Sequence, residues 1–195
     1  MYSLKSLIVF IKRKIFRNSR DRWNYQYEKG KWEFLKQPDE DERFQTVIRF
    51  IEQYKLGGNL LEIGCGEALL QQKINSNHYA HFTGIDVSDI AIENANRYKN
   101  SKTAYWVADM ETYVPSHLMD AIIFTESIYY SKNPAKLLQR YRQFLKSEGI
   151  FIISIFDFKY STKVWQQIES ICLVLEHTST TNYKGTWQCK VLTPR

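Results

Sequence analysis

A glycine-rich turn that directly follows an apolar segment limits the folds open to this chain. Residues 60–63 (LLEI) are almost wholly apolar, and residues 64–66 (GCG) follow before a helical pattern begins. Small residues in such a turn let a ligand approach the backbone beside a helix N-terminus. The sequence therefore predicts a buried strand, a ligand-binding turn and a helix, which together form the first unit of an α/β sheet.

Strand-like and helix-like segments alternate along the rest of the chain. Strands are predicted near residues 60–64, 81–86, 103–107, 120–125 and 150–156, and helices near residues 67–76, 89–98 and 134–146. This alternation is typical of a mostly parallel sheet with helices on both faces. Residues 171–178 and 186–192 read as two more strands joined by a turn with Asn182 and Gly185, so we expect a C-terminal antiparallel hairpin.

Charge and pattern divide the chain into three segments within a single domain. Residues 1–22 carry the whole net charge of +6, because cations and anions are equal in number over the rest of the chain. Residues 23–58 read as an N-terminal cap, with a loop and short helix over residues 23–34 and then a lead-in helix. That helix begins after an acidic run, has Phe44, Val47, Ile48 and Ile51 along one face, and is predicted to end at Gly57 and Gly58. Residues 59–195 form the predicted core.

Residues 1–17 have the periodicity of a basic amphipathic helix. Its apolar face consists of Leu4, Leu7, Ile8, Ile11 and Ile15. Such a helix can lie on an anionic membrane, pack on its own domain or contact nucleic acid, and the pattern leaves all three open. Nucleic acid is the least favoured partner, because the chain lacks a basic stripe across the whole domain.

Several other kinds of site or location are not indicated by the sequence. The longest apolar runs are far shorter than the roughly 20 residues that span a bilayer. No signal peptide is recognisable, so we expect a cytoplasmic protein, at the inner face of the membrane if residues 1–17 bind lipid. Cys65, Cys172 and Cys189 form no CxxC motif, and the histidines show no paired ligand spacing. We therefore expect neither disulfides nor a metal site.

Residues 62–68 (EIGCGEA) resemble the first motif of the class I S-adenosylmethionine-dependent methyltransferases, an acid followed by x-Gly-x-Gly-x-Gly, with Ala68 at the last glycine. A dinucleotide fingerprint fits less well, because Leu69 occupies its third glycine position. The ends of the next strands also resemble the family in order and spacing. They read 81–88 (HFTGIDVS), 107–110 (VADM), 120–127 (DAIIFTES) and 145–149 (LKSEG).

The resemblance implies a Rossmann-like fold, S-adenosylmethionine as cofactor and methyltransferase activity. The implied cofactor-binding residues are Glu62, Gly64, Cys65, Gly66, Asp86, Val87, Asp109 and Met110. Asp86 would accept the ribose hydroxyls, and Asp109 with the backbone of Met110 would hold the adenine. The carboxylate of Glu62 suits a cationic ligand, whereas Cys65 is expected to pack in the turn and not to act as a nucleophile. We expect Ser88 or Asp89 to cap the following helix.

The resemblance also places the end of the fourth strand beside the transferable methyl group. Glu126 is therefore the candidate to orient the acceptor or take its proton, and Tyr129 and Tyr130 are candidates for the acceptor pocket. Tyr27 and Trp32 are expected to fold over the site, where an aromatic face stabilises a sulfonium cation.

Two shorter segments bear on the acceptor. Residues 125–130 (TESIYY) resemble the end of strand four in nodulation-protein-S-like methyltransferases, which act on saccharides. Residues 23–32 are similar to the leaders of methyltransferases encoded among surface-polysaccharide enzymes. The resemblance implies transfer to oxygen or nitrogen of a small molecule, a saccharide or lipid-linked glycan. An RNA methyltransferase and a non-catalytic scaffold remain as alternatives. DNA base methylation is disfavoured, because the Pro-Pro-aromatic tetrad of those enzymes is absent after strand four.

Overall fold

The computed structural model describes residues 20–195, which fold around one seven-stranded sheet. The strands are β1 (Gly58–Ile63), β2 (Tyr79–Asp86), β3 (Thr103–Val107), β4 (Met119–Thr125), β5 (Leu145–Phe156), β6 (Cys172–Asn182) and β7 (Gly185–Pro194). Their order in the sheet is β3-β2-β1-β4-β5-β7-β6. Strand β7 is antiparallel to β5 and β6, and the other pairings are parallel. The predicted α/β class and C-terminal hairpin are confirmed.

Helices cover both faces of this sheet. They are α1 (Arg20–Glu28), α2 (Asp41–Lys55), α3 (Leu69–Lys73), α4 (Asp89–Asn96), α5 (Pro134–Arg142) and α6 (Ser161–Glu169), with short 3-10 helices at Glu33–Lys36, Pro38–Glu40 and Ile128–Tyr130. Successive strand residues point to opposite faces. Leu60 of β1 accordingly packs in a cluster with Val47 of α2, and Leu61 packs in a second cluster with Leu138 of α5. The face of α2 predicted from the sequence is buried.

The strand order determines where a ligand can bind. Strand β1 lies between β2 and β4. After β1 the chain adds β2 and β3 on one side of β1, and it then returns to add β4 on the other side. In open α/β sheets, ligands bind at the carboxyl ends of the strands beside such a reversal. The glycine-rich turn follows β1 at this place.

Three predicted helices are shorter in the structure, although α4 ends only two residues early, at Asn96. The helix predicted over residues 67–76 is reduced to α3, because Ala68 has a left-handed backbone with φ 60° and still belongs to the turn. The helix predicted over residues 134–146 ends at Arg142. The chain turns after Arg142, and Leu145 already pairs with Met119 of β4. Strand β5 is correspondingly longer than predicted.

The C-terminal part contains an element that the sequence pattern did not predict. Helix α6 (STKVWQQIE) buries Trp165 and Ile168 against the sheet. Strands β6 and β7 are longer than predicted and pair up to Asn182 opposite Gly185, which confirms the turn.

The N-terminal predictions are only partly within the described residues. The amphipathic helix over residues 1–17 lies outside them. Helix α1 begins at Arg20 and crosses the boundary expected between residues 22 and 23. A short helix and turns do occupy residues 23–34, as predicted. Within residues 20–195, no helix is both long enough and apolar enough to cross a membrane.

Candidate active site

A cavity of about 430 Å³ opens at the carboxyl ends of the central strands. It is lined by every residue that the sequence singled out for cofactor or acceptor. These are Tyr27, Trp32, Glu62, Gly64, Cys65, Gly66, Asp86, Val87, Asp109, Met110, Glu126, Tyr129 and Tyr130. The sheet thus brings together side chains from five separate segments of the chain.

The glycine-rich turn forms the floor of the cavity beside β1. Gly64 and Gly66 have left-handed backbones, with φ of 76° and 54°. A Cβ atom on Gly64 would lie 2.5 Å from the Cβ of Ser127, and one on Gly66 would lie 2.6 Å from the hydroxyl of Tyr27. Both conformation and space therefore favour glycine, and the backbone stays accessible to a ligand.

Asp86 ends β2 next to this turn. One carboxylate oxygen accepts the Ser88 N–H at 2.9 Å, and the other accepts the Gly66 N–H at 3.0 Å. Burial raises the pKa of this carboxyl group. Each oxygen keeps a lone pair, so the group can accept two further hydrogen bonds, as from a pair of hydroxyls. Ser88 caps α4, since its hydroxyl oxygen accepts the Ala91 N–H at 3.2 Å.

Glu62 and Arg43 place a buried carboxyl group and a buried guanidinium on the cavity wall. Glu62 is 2% exposed, and its Oε2 has no hydrogen-bond partner within residues 20–195. Burial raises the pKa of Glu62 to about 8. Arg43 is 4% exposed and donates from Nε to Glu40 at 2.6 Å, but its two terminal amino groups have no acceptor in the described chain. The pair suits a ligand that carries both an ammonium and a carboxylate.

Glu126 lies at the end of β4 with an unusual backbone, since its φ is 59°. Its carboxylate accepts the Ser154 hydroxyl at 2.9 Å, the Phe156 N–H at 2.8 Å and the Tyr129 hydroxyl at 3.3 Å. Burial raises the pKa of Glu126 to about 7, although these donors favour the ionised form. A carboxylate held in this way can orient an acceptor and take a proton near neutral pH.

Aromatic rings cover the cavity from the side of α1. Trp23 packs against Tyr130 with centroids 4.8 Å apart and against Trp32 at 5.7 Å, and Tyr129 lies 4.6 Å from Tyr130. Helix α1 buries no residue completely. Two of its aromatic side chains, Trp23 and Tyr27, line the cavity instead.

Asp109 and Met110 lie on the part of the cavity that follows β3. Asp109 is exposed and accepts the Glu111 N–H at 2.7 Å. The carbonyl of Met110 accepts the Tyr141 hydroxyl at 3.0 Å, which fixes the backbone there. Cys65 is buried and burial raises its pKa, so its thiol stays protonated and packs in the turn. Residues 20–195 contain no cluster of side chains suited to a metal ion.

Sequence reasoning did not single out several cavity residues. They are Trp23, Arg43, Phe156, Lys184 and Trp187. The density of aromatic residues near Trp23 was visible in the sequence. For Arg43 the available signal was a cation in the first turn of a helix, where the helix dipole disfavours positive charge. The positions of Phe156, Lys184 and Trp187 depend on how the C-terminal hairpin packs beside β5. A local sequence pattern does not show this.

Comparison with known proteins identifies relatives of this chain. The methyltransferase domain family matches residues 36–184. A curated relative, malonyl-[acyl-carrier protein] O-methyltransferase 2 from Ilyobacter polytropus, is 29% identical over 132 residues, which are 66% of this chain and 51% of the relative. The chain therefore spans about half the length of this relative.

Solved structures share the fold at low identity. The N-methyltransferase NodS from Bradyrhizobium japonicum, bound to S-adenosyl-L-homocysteine, has a TM-score of 0.74 and 18% identity, and the match covers 84% of this chain and 91% of NodS. The plantazolicin methyltransferase BpumL, also in complex with S-adenosylhomocysteine, has a TM-score of 0.67 and 15% identity, covering 94% and 97% of the chains. A Haloferax volcanii putative methyltransferase, in complex with the activator Trm112, scores 0.73 at 15% identity, covering 91% and 100%.

Proposed function

Since the chain belongs to the methyltransferase domain family, we propose that it transfers a methyl group from S-adenosylmethionine to an oxygen or nitrogen of a saccharide or lipid-linked glycan. The observation that carries this proposal is the cavity that joins Asp86, Glu62, Arg43 and Glu126. One side of it fits a nucleoside with an amino-acid end. The other side offers a carboxylate among aromatic rings.

The residues present fit the cofactor part by part. Asp86 has lone pairs free for the ribose hydroxyls, and Asp109 with the backbone of Met110 would hold the adenine. The amino-acid end carries an ammonium and a carboxylate, which match Glu62 and Arg43, two buried groups with hydrogen-bonding atoms that no residue within 20–195 uses. When bound, the cofactor supplies a methyl group already activated by a sulfonium cation.

In the transfer, the residues of this chain align the acceptor, exclude water and accept one proton. Alignment of the acceptor atom at near-attack distance, about 3 to 3.5 Å, can supply much of the rate enhancement. The aromatic wall of Trp23, Tyr129 and Tyr130 excludes water from this space. The ionised carboxylate of Glu126 accepts the O–H or N–H proton of the acceptor, and the Tyr129 hydroxyl holds that carboxylate in place.

The choice of a saccharide rests on two supports. The segment 125–130 resembles that of saccharide-acting methyltransferases, and aromatic rings present flat faces on which the C–H faces of a sugar can pack. The lipid-linked form rests on the basic amphipathic pattern of residues 1–17. The printed names of the relatives include both an O- and an N-methyltransferase, so the proposal keeps both acceptor atoms.

An acceptor screen with methyl-labelled S-adenosylmethionine tests this proposal. The panel contains neutral oligosaccharides, amino-sugar oligosaccharides, a lipid-linked oligosaccharide and a structured RNA, with Asp86→Ala as the inactive control. We expect label in a saccharide with the wild type and none with the variant. Label in RNA alone would support the RNA alternative, and cofactor binding without transfer to any class would support the scaffold alternative.

A further inference from the structure

A chain of charged side chains joins the turn between β6 and β7 to the start of α2. The Lys184 Nζ lies 2.7 Å from the Asp39 carboxylate and 2.8 Å from Oε1 of Glu40. The other oxygen of Glu40 accepts the Nε–H of Arg43 at 2.6 Å. Glu40 therefore bridges two cations that are far apart in the sequence.

This bridge is buried and firmly anchored. Glu40 is 1% exposed and Arg43 is 4% exposed. The Asn182 side chain donates to the carbonyl of Asp39 at 2.8 Å, which ties the turn to the segment before α2. At Gly185 an added Cβ would lie 2.6 Å from the ring of Phe156, so the turn also packs closely on β5.

A cation at the position of Arg43 is unfavourable for the helix, and its contact with Glu40 offsets this cost only in part. It lies in the first turn of α2, where a cation opposes the helix dipole, and it is removed from water. Glu40 provides one charged contact. Lys184 holds one oxygen of Glu40 and Arg43 contacts the other through Nε alone, so no residue within 20–195 accepts a hydrogen bond from the terminal amino groups of Arg43.

We propose that Lys184 is a positioning residue for the cofactor, acting through Glu40 to keep the terminal amino groups of Arg43 available to a ligand carboxylate. Without Lys184, Oε1 of Glu40 would be a buried carboxylate oxygen that lacks its cation. The amino groups of Arg43 are the donors able to replace it, in the bidentate geometry that arginine and carboxylate favour. Arg43 would then be drawn away from the ligand. This inference rests on the proposed function.

Two ligands separate this effect from a general loss of structure. Calorimetric titration of the full chain uses S-adenosylhomocysteine and 5′-methylthioadenosine, which lacks the amino-acid end. Lys184→Met is expected to weaken binding of S-adenosylhomocysteine about tenfold and to leave binding of 5′-methylthioadenosine unchanged. Lys184→Arg should restore the affinity. The matched control is Lys190→Met, which removes an ion pair with Glu169 elsewhere on the hairpin and should change neither affinity.

A double-mutant cycle tests the route through Arg43. In an Arg43→Met background, Lys184→Met should cause no additional loss of S-adenosylhomocysteine affinity. Additive losses would overturn the proposal, as would an equal loss for both ligands or an unchanged affinity in Lys184→Met alone. The single Lys184→Met comparison remains decisive if Arg43→Met does not fold. If the folded wild type binds neither ligand, the proposed function itself fails.

Discussion

Glu126 combines a strained backbone with a carboxylate in an apolar wall. A left-handed conformation costs a non-glycine residue about 1 to 3 kcal/mol and persists only where the surroundings impose it. Here the Glu126 N–H donates to the carbonyl of Ser154 at 3.1 Å, and the Phe156 N–H holds the carboxylate. The backbone strain accompanies a side chain fixed toward the cavity, which is typical of a functional site.

Glu126→Gln is expected to lower turnover about a hundredfold or more and to leave S-adenosylhomocysteine affinity nearly unchanged. The base must be ionised, and burial raises its pKa to about 7. Wild-type turnover should therefore rise as the pH increases through about 7 and then level off, whereas the variant should lack this step. Turnover measured against pH, with an acceptor from the screen, checks both points. Unchanged turnover in Glu126→Gln would remove this residue from the mechanism.

Individual site residues differ in how far the sequence could reveal them. Glu62, Asp86 and the turn glycines were predictable, because each lies at a strand end marked by apolar residues and glycine. Arg43 was signalled only weakly, as a cation in the first turn of a helix, because its proposed role depends on Glu40 and on the distant Lys184. A contact between segments so far apart in the sequence produces no local pattern from which it could be predicted.

At the scale of elements, the strands were predicted well and the helices less well. Buried strands such as β4 and β5 form continuous apolar runs that stand out from their surroundings. The length of α3 was missed because left-handed Ala68 is sterically unexpected for a residue other than glycine. Helix α6 was missed because it is short and carries few apolar residues, and the burial of Trp165 and Ile168 depends on the sheet beneath them.

Helix α1 covers the cofactor side of the cavity without supporting the core. It buries no residue, and Asn24 attaches it to Ser88 and Asp89 at the start of α4. Deletion of residues 1–30 should therefore leave the free energy of unfolding nearly unchanged and weaken S-adenosylhomocysteine binding about tenfold. Chemical denaturation and calorimetry measure the two quantities.

Deletion of residues 1–18 alone is the control for this truncation, because it keeps Tyr27 beside Gly66. Its cofactor affinity should equal that of the full chain. Equal affinities in both truncated proteins would show that α1 does not contribute to binding.

At the scale of the whole molecule, the charge distribution separates residues 1–22 from a neutral remainder. We propose that residues 1–17 bind an anionic membrane surface, where apolar burial and charge attraction add together. The full chain should then sediment with anionic vesicles and not with neutral ones, and deletion of residues 1–18 should abolish this. Sedimentation that is unchanged by the deletion contradicts the proposal, and no sedimentation of the full chain favours packing of this segment on its own domain.

The central claim is that the cavity binds S-adenosylmethionine, and its product S-adenosylhomocysteine tests this without any acceptor. Calorimetric titration should give about micromolar affinity for the wild type and no detectable binding for Asp86→Ala. Asp120→Ala, which changes a carboxylate at the far end of β4 that pairs with Lys146, should bind like the wild type. A folded wild type that does not bind, or an Asp86→Ala variant that binds equally well, would contradict the account.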